Sequence, residues 1–181
     1  SDLYRSHPDW VLSHESTPKL LARHQLVLDL ARPEVEAYIF DSLSTLLSQH
    51  PIRYLKWDMN RDIHQAGNAL GHPAVSGQTR ALYRLLNRVK TAFPEVEIEG
   101  CASGGGRVDC GVLNYVSRFW PSDTNDALDR LSVQRGFSLF YPPELMGSHI
   151  GPDTCHLTGR QHDLTFRAGV AFWGHLGIEM D

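Results

Sequence analysis

The sequence of 181 residues predicts an α/β fold in which parallel strands alternate with helices. Short apolar runs of strand length recur along the chain, and segments with a helical apolar period separate them. Strands that are joined through helices pair in parallel, which leaves a doubly wound sheet or a (β/α) barrel. Polar side chains at the ends of several strands favour the barrel, because barrels carry their chemistry on that rim.

Two strand and helix pairs follow each other in the first half of the chain. The apolar run LVLDL predicts a strand at 26–30, and a proline opens a predicted helix at 33–49. The run IRYLKW predicts a second strand at 52–57, followed by a helix at 79–93. Each helix carries one apolar stripe, formed by Val35, Ile39, Leu43, Leu46 and Leu47 in the first and by Leu82, Leu85, Leu86, Val89 and Phe93 in the second.

Four further strands are predicted in the second half. The run VEIEGC predicts a strand at 96–101. Short strands that enter a loop rich in proline or glycine are predicted at 117–123 and 138–147, and a last strand at 168–180.

Asp58, Cys101 and Asp123 each stand where a predicted strand ends, so a barrel would gather them at one mouth. A doubly wound sheet would normally bring a phosphate-binding turn, for which ASGGGR at 102–107 is the candidate. That segment has neither the dinucleotide nor the P-loop spacing, so we do not predict a nucleotide site. Its glycines either allow a ligand to approach the backbone or form a plain flexible loop.

The pair Asp58 and Asp123 suits glycoside hydrolysis. That reaction needs one ionised carboxylate and one protonated carboxyl that gives a proton to the leaving oxygen. The cation of Lys56 would keep Asp58 ionised. The alternative is that Lys56 and Asp58 form only an ion pair at the end of the strand.

Composition excludes several function classes. A net charge of −4 with dispersed basic residues gives no nucleic-acid footprint, and no apolar run reaches the length of a membrane span. The chain opens without Met and without a signal segment, and its three cysteines suit a reducing compartment. We therefore expect a cytoplasmic location without membrane or nucleic-acid partners.

Five segments together resemble a known family. In chain order they are LVLDLARPEV, YLKWDMNR, EGCASGGGRVD, WPSDTNDALDRL and YPPELMGSHIGP. This ordered set is similar to the catalytic barrel of glycoside hydrolase family 36 α-galactosidases. The resemblance implies that Asp58 is the nucleophile and Asp123 the acid/base of a retaining enzyme. Such an enzyme hydrolyses raffinose-type and melibiose-type galactosides through a covalent galactosyl-aspartate, without a cofactor.

The resemblance also implies a set of sugar-binding residues. Lys56 and Asn60 would hydrogen-bond the galactose, and Trp57 would line its pocket. The remaining candidates are Arg23 and the loop that contains Cys101 and Gly104. Arg23 could equally be a surface cation, and Cys101 a small buried thiol.

Asp126 also matches the family's acidic stretch and ranks behind Asp123. Its alternative role is a carboxylate at the start of the helix that follows. The family more often has a fourth glycine after its cysteine and a second acidic residue after Ser-Asp, where this chain has CASGGG and SDTNDA. These departures affect substrate preference but keep both catalytic aspartates.

The resemblance implies an incomplete (β/α)8 TIM barrel, with about strands 3 to 8 in residues 1–181 and the flanking β domains of full-length members absent. Full-length members are commonly oligomeric. Two other functions remain open: a catalytically silent sugar-binding or scaffold piece, and galactosyl transfer of the raffinose-synthase type.

A metal site is not predicted. Cys155, His156, His162 and Asp163 are possible ligands, but adjacent Cys and His side chains diverge on extended backbone and no second Cys pair completes a tetrahedral set.

Overall fold

The computed structural model describes residues 1–14 and 17–179. The chain forms two compact units, which we name the helical unit (Ser1–Arg53 and Asn60–Val96) and the strand unit (Tyr54–Met59 and Glu97–Asp181). Among the described residues, the helices lack the combination of length and apolar character that crossing a bilayer requires.

The helical unit contains three α-helices: α1 (Asp2–Ser6), α2 (Pro33–Gln49) and α3 (Val75–Ala92). The predicted helix at 33–49 is confirmed, and the one predicted at 79–93 begins four residues earlier than expected. The carboxylate of Glu36 on α2 lies 3.0 Å from both Arg84 and Arg88 on α3. These ion pairs hold the two helices side by side.

The prediction of a strand at 26–30 is wrong. Leu28 makes a single antiparallel bridge with Val11. The amide of Leu12 donates to the Val27 carbonyl at 2.9 Å, and the amide of Asp29 donates to the Trp10 carbonyl at 2.7 Å. Because this short contact uses the segment's backbone groups, it forms no parallel ladder. The described residues therefore hold five strands instead of the expected six.

The strand unit alternates parallel strands with helices. Its elements are β1 (Tyr54–Asp58), β2 (Glu97–Cys101), β3 (Arg118–Phe119), α4 (Ala127–Ser138), β4 (Gly147–Ile150), α5 (Leu164–Ala171) and β5 (His175–Ile178). Parallel pairing joins β1, β2 and β3 in that order, and a second parallel sheet joins β4 and β5. One parallel bridge between Phe119 and Met146 connects the two sheets.

The strands predicted at 52–57 and 96–101 are confirmed with small shifts of their ends. Of the segment predicted at 117–123, only Arg118–Phe119 forms a strand. The strand predicted at 138–147 is wrong, because α4 continues to Ser138 and a 3₁₀ turn occupies Pro143–Leu145. Consecutive prolines lack backbone donors for a ladder, so the strand begins only at Gly147. The last predicted strand is correct only in its second half, since α5 runs to Ala171.

Asp126 caps the N-terminus of α4. Its carboxylate accepts hydrogen bonds from the amides of Leu128 and Asp129 at 2.9 and 3.2 Å. The hydroxyl of Thr158 donates to the same carboxylate, and Arg160 Nε lies 3.1 Å from it. Asp126 thus ties the segment after β4 to the start of α4, one residue ahead of the expected first turn.

The pKa of Asp126 responds to two opposing effects. Burial raises it, but the hydrogen bonds from Thr158 and the helix amides, together with the charge of Arg160, bring it below the usual range. The ionised carboxylate is therefore the form that the fold stabilises.

We expect Asp126→Ala to destabilise the protein by at least the roughly 0.5–2 kcal/mol of a lost helix cap. Asp126→Asn keeps a cap but loses the charge. Because the folded pKa lies below the unfolded value of about 3.9, the stability that this charge contributes is present above that pH and disappears as the pH falls through the folded pKa.

Denaturation of wild type and Asp126→Asn between pH 3 and pH 7 measures this difference in stability. Asp129→Asn is the matched control, because Asp129 also pairs with Arg160, at 2.7 Å, but is partly exposed. A difference that grows toward acid, or an equal effect of both substitutions, would contradict the account.

Candidate functional site

Strand β1 carries its charged side chains on one face. Side chains alternate along a strand, so Lys56 and Asp58 share a face and Trp57 lies on the other. The parallel register places Lys56 beside Glu99 and Asp58 beside Cys101. The charge cluster at the end of β1 therefore continues across β2.

Cys101 is buried next to Asp58. The pKa of the Cys101 thiol is raised to about 11, chiefly by burial and also by the Asp58 carboxylate, which accepts a hydrogen bond from the thiol. The thiol is therefore protonated at neutral pH and acts as a hydrogen-bond donor to Asp58.

The glycine run after β2 packs closely against the segment that leads to Asp123. Gly104 has a φ of +82°, and a Cβ at this position would stand 2.6 Å from the Cα of Ser122. The amide of Gly105 donates to the carbonyl of Pro121 at 3.0 Å. These glycines thus allow two stretches of backbone to pack closely, which fixes the path of the chain just ahead of Asp123.

A cleft of about 440 Å³ opens beside Lys56 and Asp123. It is lined by Lys56, Trp120, Asp123, Asn125, Pro152, His156, Ile178 and Glu179. The structure therefore brings together a predicted sugar-binding cation and the predicted acid/base. Asp58 does not line the cleft. It is exposed, and it lies on the same face of β1 as Lys56, two residues later in the strand.

The Lys56 ammonium has two close neighbours within the strand unit. Its Nζ lies 3.8 Å from Oε1 of Glu99 and 4.5 Å from the centroid of the Trp120 ring. The Lys56 side chain is 36% exposed, whereas that of Glu99 is 0% exposed. Lys56 therefore lines the cleft while its anionic partner lies buried behind it.

Trp57, Arg23 and Asn60 are not among the residues that line this cleft. Trp57 lies on the opposite face of β1 from Lys56, beside Gly100 in the register. Arg23 and Asn60 belong to the helical unit, where Arg23 is exposed with a φ of +52°.

Sequence reasoning missed several residues of the cleft. Trp120 stands just ahead of the Asp123 motif, and an aromatic side chain next to a candidate acid was an available signal. The sequence analysis considers His156 only as a metal ligand that it rejects, and no sequence pattern points to Glu179. Two of the metal ligands that the sequence analysis rejects, Asp163 and His162, have other contacts. Asp163 caps α5 by accepting a hydrogen bond from the amide of Phe166 at 2.8 Å. His162 Nε2 lies 3.6 Å from Asp126.

Comparison with known proteins identifies relatives along the whole chain. The α-galactosidase of Escherichia coli is 52% identical over 181 residues, and α-galactosidase C of Emericella nidulans is 46% identical over 183 residues. Each match covers 100% of this chain, which spans about a quarter of the relatives' length, 25% and 24% respectively.

Solved structures match equally well. The crystal structure of the GH36 α-galactosidase AgaA from Geobacillus stearothermophilus has a TM-score of 0.95 at 40% identity, covering 99% of this chain and 26% of that one. A variant of AgaA in complex with raffinose has a TM-score of 0.96 at 40% identity, covering 100% and 26%. Another, in complex with stachyose, has a TM-score of 0.95 with the same identity and coverage.

At these TM-scores the solved structures share the parallel α/β arrangement of the strand unit. The family model described as Melibiase matches residues 1–181, which is the full length of the chain. The chain therefore belongs to the melibiase family.

Proposed function

We propose that the protein containing this chain is a retaining α-galactosidase that removes terminal α-galactosyl residues from oligosaccharides of the raffinose and melibiose type. The observation that carries the proposal is the cleft that Lys56 and Asp123 both line, with Asp58 on the Lys56 face of β1. The names of the relatives and the raffinose and stachyose complexes of AgaA variants support the choice of substrate.

In the first step the Asp58 carboxylate attacks the anomeric carbon of the galactosyl group. Asp123, in its protonated form, gives its proton to the glycosidic oxygen as that bond breaks. The leaving sugar departs as a neutral alcohol, and the galactosyl group stays bound to Asp58 as an ester.

In the second step a water molecule attacks the anomeric carbon and Asp123 takes a proton from it. The bond to Asp58 breaks, which returns Asp58 as a carboxylate and Asp123 as an acid. Two inversions at one carbon yield α-galactose. The exposure of both aspartates is consistent with access for the oligosaccharide and for water.

Lys56 and Cys101 supply hydrogen-bond donors on the Asp58 face of the sheet. The ammonium binds a sugar hydroxyl in the cleft, and the protonated thiol holds Asp58 or a neighbouring hydroxyl. Gly104, packed on the Ser122 backbone, holds the loop beside them. We retain Arg23 and Asn60 as binding residues on the family resemblance alone.

We further propose that the chain is part of a (β/α)8 barrel in a longer, oligomeric protein. Support comes from the parallel pairing of every paired strand in the strand unit and from the position of Asp58 and Cys101 at the carboxyl ends of β1 and β2. A barrel needs about 250 residues, so residues 1–181 alone should hydrolyse little or nothing. The free thiols Cys101, Cys110 and Cys155 support a cytoplasmic location.

Substitution of the two aspartates in the intact protein should have unequal effects. Asp58→Ala removes the nucleophile, so turnover of every α-galactoside should be lost. Asp123→Ala removes a proton donor worth about 10²–10⁴ in rate, which matters for a sugar leaving group and hardly at all for a nitrophenolate. We expect Asp123→Ala to lose raffinose hydrolysis but to keep the first step with nitrophenyl α-galactoside.

Steady-state and burst kinetics with both substrates measure these rates, and azide tests the roles independently. Azide should accelerate breakdown of the intermediate in Asp123→Ala and give the α-galactosyl azide. Asn125→Ala is the control, since Asn125 lines the cleft but has no proposed chemical step. If Asp58→Ala keeps the activated substrate, or azide gives product only with that variant, the two roles are exchanged.

Alkylation of the native protein tests the environment of Cys101. With a pKa near 11, the thiol is almost entirely protonated at pH 8, so iodoacetamide should modify it roughly a hundredfold more slowly than an exposed cysteine. The exposed Cys110 is the internal control. Peptide mapping by mass spectrometry gives both rates, and equal modification would show that Cys101 is not buried against Asp58.

A further inference from the structure

Glu99, in the middle of β2, is a fully buried acid that the proposed chemistry does not use. Its side chain is 0% exposed. The register places it beside Lys56 on one side and Arg118 on the other. Burying an ionised carboxylate is costly unless cations compensate its charge, so a buried glutamate at this position indicates a specific role.

The two oxygens of the Glu99 carboxylate have different neighbours. Oε2 accepts a hydrogen bond from Arg118 Nε at 3.2 Å. Oε1 makes no hydrogen bond within the described part of the chain and lies 3.8 Å from Lys56 Nζ. A Cβ at Gly147 would stand 3.2 Å from Oε2, so the glycine leaves room for the carboxylate.

Besides its cations, the Glu99 carboxylate has the hydroxyl of Tyr54 as a neighbour. Lys56 Nζ and the Arg130 guanidinium lie 4.5 and 4.6 Å from the centroid of the Trp120 ring. Burial lowers the pKa of Arg130 to about 10, and the charge of Glu99 opposes that change. Without Glu99, the Lys56 ammonium would lose the buried anion that lies 3.8 Å from it.

We propose that Glu99 is a positioning residue for the cleft: its carboxylate holds the Lys56 ammonium over the Trp120 ring and so fixes where a sugar hydroxyl is bound. This inference rests on the proposed function. Lys56 has a flexible four-carbon stem, and an ammonium without an anchor would sample the open cleft. Glu99 lies buried behind Lys56 and affects sugar binding only through that side chain, without touching the sugar.

Glu97 provides a matched control. It stands two positions earlier on the same face of β2 and pairs with the same arginine, Arg118 Nη1, at 2.9 Å. Its side chain is 58% exposed, whereas that of Glu99 is fully buried. Glu97→Gln therefore removes an Arg118 partner without removing the anion next to Lys56.

The experiment compares Glu99→Gln, Glu97→Gln, Lys56→Met and the double variant Lys56→Met/Glu99→Gln in the intact protein. The readouts are the inhibition constant of galactose and the kcat and KM for nitrophenyl α-galactoside. Misplacing a binding group can cost about a hundredfold, so we expect Glu99→Gln to weaken galactose binding by about 10- to 100-fold. Glu97→Gln should stay near wild type. The double variant should bind no more weakly than Lys56→Met alone.

A crystal structure of Glu99→Gln gives a readout that does not depend on activity. We expect the Lys56 ammonium to leave its position over Trp120. Should Glu99→Gln fail to fold, the double variant, which removes one charge of each sign, still allows comparison with Lys56→Met. A loss that adds in full to that of Lys56→Met overturns the inference.

Other outcomes separate the inference from the proposed function. If Glu97→Gln weakens binding as much as Glu99→Gln, or if Lys56 stays over Trp120 without Glu99, the positioning role is wrong while the galactosidase activity stands. If the wild-type protein neither hydrolyses α-galactosides nor binds galactose, the proposed function is wrong, and the position of Lys56 in the Glu99→Gln crystal structure alone decides the positioning role.

Discussion

The parallel register between β1 and β2 is the constraint on which the site depends. It sets Lys56 beside Glu99 and Asp58 beside Cys101, so that a cation meets a buried anion and a carboxylate meets a thiol donor. A slip of one residue would turn both charged side chains of β1 to the opposite face and bring Trp57 into their place. The electrostatics of the cleft therefore begin with backbone pairing.

The loops that follow the strands depend on close backbone packing. Gly104 lies against Ser122, and Gly147 leaves space for Glu99 and Trp120. Asp126 then joins the start of α4 to the segment that contains Thr158. Asp123 lies between Ser122 and Asp126 in the chain. The packing contacts of these two neighbours therefore fix the backbone on both sides of Asp123.

The sequence predicted the alternation of strands and helices because apolar period and proline position act locally, as at 33–49 and 96–101. It failed at 26–30, where an apolar run paired with an earlier segment, and at 138–147, where a helix extended into a run that resembled a strand. The proposed catalytic pair follows from ordered motifs in the sequence. The role of Glu99 could not be predicted in this way, because it depends on the neighbours that sheet register supplies.

The central claim is that Asp58 forms a covalent bond with the sugar while Asp123 handles the proton. Mass spectrometry of peptides from Asp123→Ala, quenched during turnover of an activated nitrophenyl α-galactoside, tests it most directly. The account predicts one galactosyl group, bound as an ester on the peptide that contains Asp58. A label on any other residue, or β-galactose as the product first formed by the wild-type enzyme, would contradict it.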